Sequence, residues 1–301
     1  MPSTSEHAED VERSTKEKKG KQKETQSPSP MATNTLEDYN IDKYKNIREW
    51  ISENPSDAYW KDEIDNQYAR HSLINIINQI KDINIVHIDI KLKLLRRLIH
   101  DTSSPVSKEY AIMDFRFENE CVHWYTTIKQ GATASVNNFQ ALEQYTKGEL
   151  PTFARPWITY NYLLIPVAYP GNSWFIFLVD FEKWKFQVYD CSHNIHTPDA
   201  IKLRAAPFLD IVQSLLIATD IFFGKPNLRK HRNKRMKLKI IPYLPCQNNG
   251  PNSGVLLLKY IECFIFGYPL EAVSIEKIRL YRRKIVTDIC QNEYFFRPYL
   301  S

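Results

Sequence analysis

The sequence predicts an α+β fold: a small, mainly antiparallel sheet flanked by helices. Three observations predict it. Residues 160–167 (Y-N-Y-L-L-I-P-V) and 173–181 (S-W-F-I-F-L-V-D-F) are short β-rich apolar runs. The second is almost continuously apolar, as a strand buried on both faces must be. Residues 184–189 (W-K-F-Q-V-Y) then alternate after the tight turn Glu182-Lys183, which makes a hairpin ending beside Asp190. Helical periodicities lie on both sides of this β-rich centre.

Taken in order, residues 1–33 hold Ser, Thr, Lys, Glu, Gln and Pro with almost nothing apolar, the composition of a disordered charged tail. Its basic cluster from Lys16 to Lys23 reads as solvated charge or as a nuclear-import signal. Residues 34–101 are helical in pattern. Tyr44, Ile47, Trp50 and Ile51 share one face, and Leu73, Ile74, Ile76, Ile77 and Ile80 make a second run. Residues 88–99 make a third, which Asp101-Thr-Ser-Ser-Pro105 stops. They form either a small layer of their own or a preface to the main domain, residues 102–301.

Residues 107–150 are less regular. Phe115, Phe117, Val122, Trp124 and Tyr125 are core candidates, residues 131–138 read as a loop, and His123 reads as a satisfied, partly buried histidine. Beyond the hairpin, residues 200–223 form a long amphipathic helix and 238–241 one more strand. Residues 273–290 close the chain as a surface helix. Its Ile275, Ile278, Ile285 and Ile289 face inward, and Lys277, Arg279, Arg282, Arg283 and Lys284 face outward.

The stretch that organises the rest is 245–262, P-C-Q-N-N-G-P-N-S-G-V-L-L-L-K-Y-I-E. A polar loop turns at Ser253-Gly254 into a helix that is apolar all round and therefore buried. Ser253 is expected as its N-cap, the hydroxyl accepting from a free backbone N–H. Such a helix start suits an anion or a nucleophile, because free N–H groups and the helix dipole converge there. An ordinary capped core helix has the same appearance.

Composition narrows the class. The chain has 301 residues, 43% hydrophobic and 13% aromatic, with a net charge of +5. The five cysteines (Cys121, Cys191, Cys246, Cys263, Cys290) are irregularly spaced and contain no CxxC pair. Neither a disulfide framework nor a zinc site is expected, and no metal or other cofactor is implied. No apolar run approaches the roughly 20 residues of a membrane span, so no membrane partner is expected.

Ser173-Trp174 at a strand start, Tyr189-Asp190-Cys191 at the end of the partner strand, and Gln247 six positions before Ser253-Gly254 resemble one family. It is the ubiquitin-like-protein-specific cysteine proteases, the SUMO-protease family related to the adenovirus protease. The resemblance covers roughly residues 90–295 and implies a papain-like, adenain-like cysteine-protease fold. In that family a His-Trp pair opens the strand and Tyr-Asp-Ser ends its partner. A Gln-x-Asn-x-x-Asp-Cys-Gly segment then sets the nucleophile at the helix start. A histidine and the helix N-terminus activate the cysteine there, the aspartate orients the histidine, and the glutamine donates to the oxyanion.

Carried over, Asp190 is the orienting aspartate, Gln247 the oxyanion donor and Trp174 the tryptophan that walls the site. Asn249 is the loop asparagine, and Gly254 follows the nucleophile. Two positions depart from the pattern: Ser173 stands for the histidine, and Asn252-Ser253 stands for Asp-Cys. A serine needs a base to attack, and a second serine at the base position supplies none near neutral pH.

The expected function is therefore a catalytically inactive family member retained as an interaction module for a SUMO-type ubiquitin-like modifier. An active peptidase with a rearranged site is the alternative, drawing on Ser253, Cys246 or Cys191 with His193 or His196. Strand alternation turns Cys191 away from the face Asp190 uses. A nucleic-acid-associated remnant of a mobile element is a further alternative. It rests on the basic insertion at residues 225–239, running from Lys225 to Lys239, which holds eight Lys or Arg in fifteen positions. That block suits an acidic partner, a nucleic acid or nuclear import, and equally a merely solvated loop. It lacks interleaved aromatics for stacking on single strands.

Overall fold

The computed structural model describes residues 36–62, 66–104, 106–131, 140–171, 173–192, 196–219, 221–242, 244 and 251–295. The expected disordered tail, Gln247, Asn249, Cys246 and His193 lie outside the described residues.

The chain builds helix α1 (Ile41–Glu53), a hairpin of β1 (Tyr59–Lys61) and β2 (Gln67–Ala69), then α2 (Arg70–Ile77) and α3 (Ile85–His100). Strand β3 (Tyr110–Ile112) leads into α4 (Phe115–Lys129) and α5 (Gln140–Lys147). Three long strands follow: β4 (Tyr162–Tyr169), β5 (Ser173–Asp180) and β6 (Lys185–Asp190). The last elements are α6 (Pro198–Ala218), β7 (Lys237–Ile241), α7 (Ser253–Phe266) and α8 (Ile278–Cys290).

The main sheet has the order β3-β4-β5-β6-β7. Its centre is the antiparallel meander β4-β5-β6, while β3 and β7 add to the two edges in parallel. Every residue of β5 is buried, which is why its sequence is a continuous apolar run rather than an alternation. Phe175, Phe177 and Val179 point with Phe186 and Val188 into a core shared with α6 and α4. Trp174, Ile176 and Leu178 point to the opposite face, onto α7. That α7-side core also takes in Leu36, Ile47, Ile51 and Leu73, so the N-terminal helices pack into it together with α8.

Capping follows the sequence closely. Asn40, Asn84, Asp114 and Thr197 each accept from a backbone N–H of the first turn of α1, α3, α4 and α6. Gly267, at φ +71°, ends α7 in the left-handed conformation that a glycine adopts without a Cβ penalty.

Several expectations are corrected. The stretch 34–101 is not helical throughout, because β1 and β2 interrupt it. The Trp60 indole of β1 donates to the Cys290 carbonyl at 3.0 Å, an anchor that periodicity does not reveal. His123 is exposed on α4 rather than partly buried. In α8, Arg282 and Lys284 do not face outward; both are fully buried. Lys284 belongs to an ionic cluster with Lys91, Lys259, Glu262 and Asp288, all with fully buried side chains. Lys259 bridges Glu262 at 2.7 Å, Lys284 meets Asp288 at 3.4 Å, and Lys91 pairs with Asp288. Burial lowers the Lys284 ammonium to about 8, although Asp288 pulls it upward.

Candidate functional site

The site lies where the start of β5, the end of β6 and the start of α7 meet. Ser173 opens β5 and is buried. The Trp174 N–H donates to Ser192 Oγ at 3.1 Å, and its carbonyl accepts from the Cys191 N–H at 2.9 Å. The indole lies over the first turn of α7. A Cβ placed on Gly254 would come within 3.1 Å of Trp174 Nε1 and 2.8 Å of Ile83 Cγ1. Any side chain there would have to displace Ile83 and press on Asp82 and Trp174, so the close approach favours glycine. The resemblance assigned Trp174 a walling role and Gly254 the position after the nucleophile, and these two residues pack against each other.

Asp190 ends β6 opposite Phe175, on the α6 side of the sheet. Cys191 turns to the α7 side, as alternation requires. One Asp190 oxygen accepts from the Ser192 N–H at 2.8 Å, and the other meets His196 Nδ1 at 3.0 Å. The His196 side chain is buried, its ring centre 4.3 Å from that of Tyr169 and 4.9 Å from that of Phe175. His196 thus pairs with the carboxylate for which the resemblance implies a histidine at position 173.

At the start of α7 the expected cap is also corrected. Asn252 is the N-cap residue and Ser253 the first helical one. The Ser253 hydroxyl donates to Asp82 Oδ2 at 2.7 Å. Asp82 supplies the cap: its oxygens accept from the Gly254 N–H at 3.0 and 3.2 Å and from its neighbour Ile83 at 2.8 Å. A carboxylate at a helix N-terminus is favoured by the dipole. Burial nevertheless raises the Asp82 carboxyl above its ordinary range, against the bonds from Ser253 and Gly254 and the nearby Arg282.

Arg282 fixes the geometry from behind. Its guanidinium donates to Asn252 Oδ1 at 2.8 and 3.1 Å, to the Ile76 and Lys81 carbonyls at 2.9 and 3.0 Å, and to the Pro251 carbonyl. Burial lowers it to about 10, with Asp82 pulling the other way, so it stays charged at neutral pH. The guanidinium ties the segment carrying Asp82 to the loop that delivers Ser253.

Sequence reasoning missed Asp82 and the buried role of Arg282, and it named His196 only as one of two histidines for a rearranged site. Asp82 lies 171 residues from Ser253, and no local pattern links them. Arg282 follows a helical face shared with exposed cations. His196 offered one signal, its six-residue spacing from Asp190.

The basic segment is anchored to the body at several points. Lys225 Nζ donates to Asn161 Oδ1 at 2.7 Å, Trp184 Nε1 to the Lys234 carbonyl at 2.7 Å, and the His231 ring stacks on Trp184. Leu228 and Met236 are buried beneath it, while Arg229, Lys230, Arg232, Lys234 and Arg235 are exposed. Among the described residues no cluster of three or more His, Cys, Asp or Glu could hold a metal ion. None of their helices is long and apolar enough to cross a membrane.

Comparison with known proteins places this architecture. The C-terminal Ulp1 protease domain bound to Smt3, the yeast ortholog of SUMO, matches with a TM-score of 0.55 and 14% identity, over 85% of this chain and 96% of that one. Ulp1 with its catalytic cysteine oxidised to a sulfonic acid matches with a TM-score of 0.56 and 13% identity, over 85% and 97%. The Chaetomium thermophilum Ulp1-like SUMO protease catalytic domain matches with a TM-score of 0.53 and 13% identity, over 87% and 93%. At these identities the likeness is one of fold. No curated protein matches the sequence. The family model for the Ulp1 protease family, C-terminal catalytic domain, matches residues 81–293, most of the chain. This chain belongs to the Ulp1 protease family.

Proposed function

We propose that this domain does not hydrolyse and serves as a binding module for a SUMO-type ubiquitin-like modifier. The observation that carries the reading is the state of the nucleophile position. A serine stands there, and its hydroxyl donates to the Asp82 carboxylate that caps α7. Ser173, at the base position, has no titratable nitrogen. Where the nucleophile or the histidine of a coupled triad is removed, turnover falls on the order of 10⁶-fold, as in subtilisin. The Trp174–Gly254 packing and the buried α7 start are retained, which supports a cleft kept for binding. The solved Ulp1 domain bound to Smt3 supports a modifier of that class as the partner.

The test is turnover of SUMO-amidocoumarin and labelling by SUMO vinyl sulfone, in the native chain and in Ser173→His plus Ser253→Cys. The expected result is no turnover in the native chain, gain in the double variant, and SUMO binding by both in calorimetry. Native turnover, or no SUMO binding by either chain, overturns the reading.

A rearranged active site is the second reading, and the Asp190–His196 pair favours it, because an imidazole held through Nδ1 is the orienting arrangement of a triad. It requires native turnover that disappears in His196→Ala. The exposed cations of residues 229–239 fit nuclear import or contact with an acidic partner or nucleic acid. DNA binding of that origin weakens linearly in log salt and is lost on neutralising the segment.

A further inference from the structure

A second concave site lies between α1, the end of α2 and the outer face of α8, and it shares no residue with the peptidase-type site. Its volume is about 530 Å³, within the range of small-molecule sites. Lys45, Arg48, Arg279 and Arg283 line it, and no carboxylate is among the lining residues. Glu37 pairs outside the lining, with Lys277 at 2.9 Å, and exposed Asp42 offsets Lys45 at 3.4 Å, which leaves the three arginines as the unbalanced charge. Arg48 and Arg279 make no ion pair among the described residues and stay exposed.

Four cations around one concavity repel each other and focus positive potential into it. Such an arrangement is stabilised by an anion that enters. Three of the four are arginines, whose planar donor forks suit phosphate oxygens better than lysine does. The lining is also partly built. Arg283 lies 5.5 Å over the Tyr44 ring and donates to Tyr39 Oη at 3.3 Å, so its guanidinium is held at the wall. Gln79 stands at φ +58°, a left-handed turn that ends α2 and brings Asn78 and Gln79 to the rim. Eight of the ten lining residues come from positions 39–79, ahead of the stretch that the family model matches.

We propose that this cavity binds a compact small-molecule polyphosphate, with Arg48, Arg279 and Arg283 as the phosphate-contacting groups. A ring scaffold carrying several phosphate groups matches both the volume and the unbalanced charge. A phosphorylated peptide presents the same groups on an extended chain and is separated from it by experiment.

The test is calorimetry on the full chain at about 0.15 M salt, where exposed charges more than roughly 8 Å apart are screened. The probes are inositol hexakisphosphate, pyrophosphate and a doubly phosphorylated peptide. The variants are Arg48→Gln with Arg279→Gln in the cavity, and Lys230→Gln with Arg232→Gln in the basic segment. All four side chains are exposed, so both variants are expected to melt with the native chain. The expected result is one-site binding of inositol hexakisphosphate that weakens at least about tenfold in the cavity variant, the scale of losing a charge-assisted contact. The basic-segment variant should bind as the native chain does. Absence of binding, a loss confined to the basic-segment variant, or binding of the phosphopeptide alone overturns the proposal.

Discussion

The two faces of the central sheet are built by different physics. On the α6 side, Phe175, Phe177, Phe186, Val188 and Phe208 form an apolar core with ring contacts at 5.0 to 6.1 Å, and its polar pairs, Glu118–Arg204 and Asp190–His196, stand at the margin. On the α7 side, the apolar layer adjoins buried charge: Arg282 and the Lys91–Lys259–Glu262–Lys284–Asp288 cluster. Apolar contacts are non-directional, so the first face tolerates any filling of the right volume. Buried charges need particular acceptors at particular places, and the second face is where the helix start and its neighbours must be aimed. The Ser253 end of the site belongs to the directional face, and the Asp190–His196 pair to the other.

The sharpest way to break this distinction is to change volume and polarity separately. Phe177→Ala is expected to cost about 3–5 kcal/mol in urea unfolding, but Phe177→Leu much less. Arg282→Met, of similar bulk, should cost about 3–5 kcal/mol, because it strands the acceptors of Asn252, Ile76, Lys81 and Pro251. If Arg282→Met proves as mild as Phe177→Leu, the two faces do not differ.

His87 in α3 sharpens the comparison by pH. Burial holds it at about 4, against its ordinary value of 6.5. As pH falls from 6.5 to 4, the unfolded chain takes up the proton first, so stability is lost across that window. The loss is about 3 kcal/mol at full extent, from 1.36 kcal/mol per pKa unit. His87→Gln should flatten that part of the difference between the two stability–pH curves.

The ionic cluster offers a smaller test. Three lysines face two carboxylates. Lys284→Met leaves a balanced set, and Asp288→Leu leaves three cations against one acid. Asp288→Leu should therefore be the more destabilising, by about 2 kcal/mol or more. Equal costs would mean that charge balance does not organise this face. The smallest effect belongs to a local device on the apolar side: Thr197→Ala, removing the α6 cap, should cost about 1 kcal/mol by thermal melting.

Much of the fold was legible because it rests on local signals. The apolar run of β5 and the alternation of β6 each express one element's own burial. The candidate site was legible only through the likeness of Ser173-Trp174, Asp190 and Ser253-Gly254 to a family pattern. The β1–β2 hairpin was not, since Trp60 is anchored by a carbonyl 230 residues away.

By itself the sequence determined the central strands β4 to β6, the long helix α6, the buried helix after residue 252 and the two serines where the family carries histidine and cysteine. Tertiary structure decided the partners: Asp82 on Ser253 and Gly254, His196 on Asp190, Arg282 on the loop before α7. Periodicity tells which way an apolar side chain turns, because burial depends on the average environment of a face. It cannot tell which acceptor meets a charged group, because that is set by segments far apart in the chain brought within 3 Å of one another.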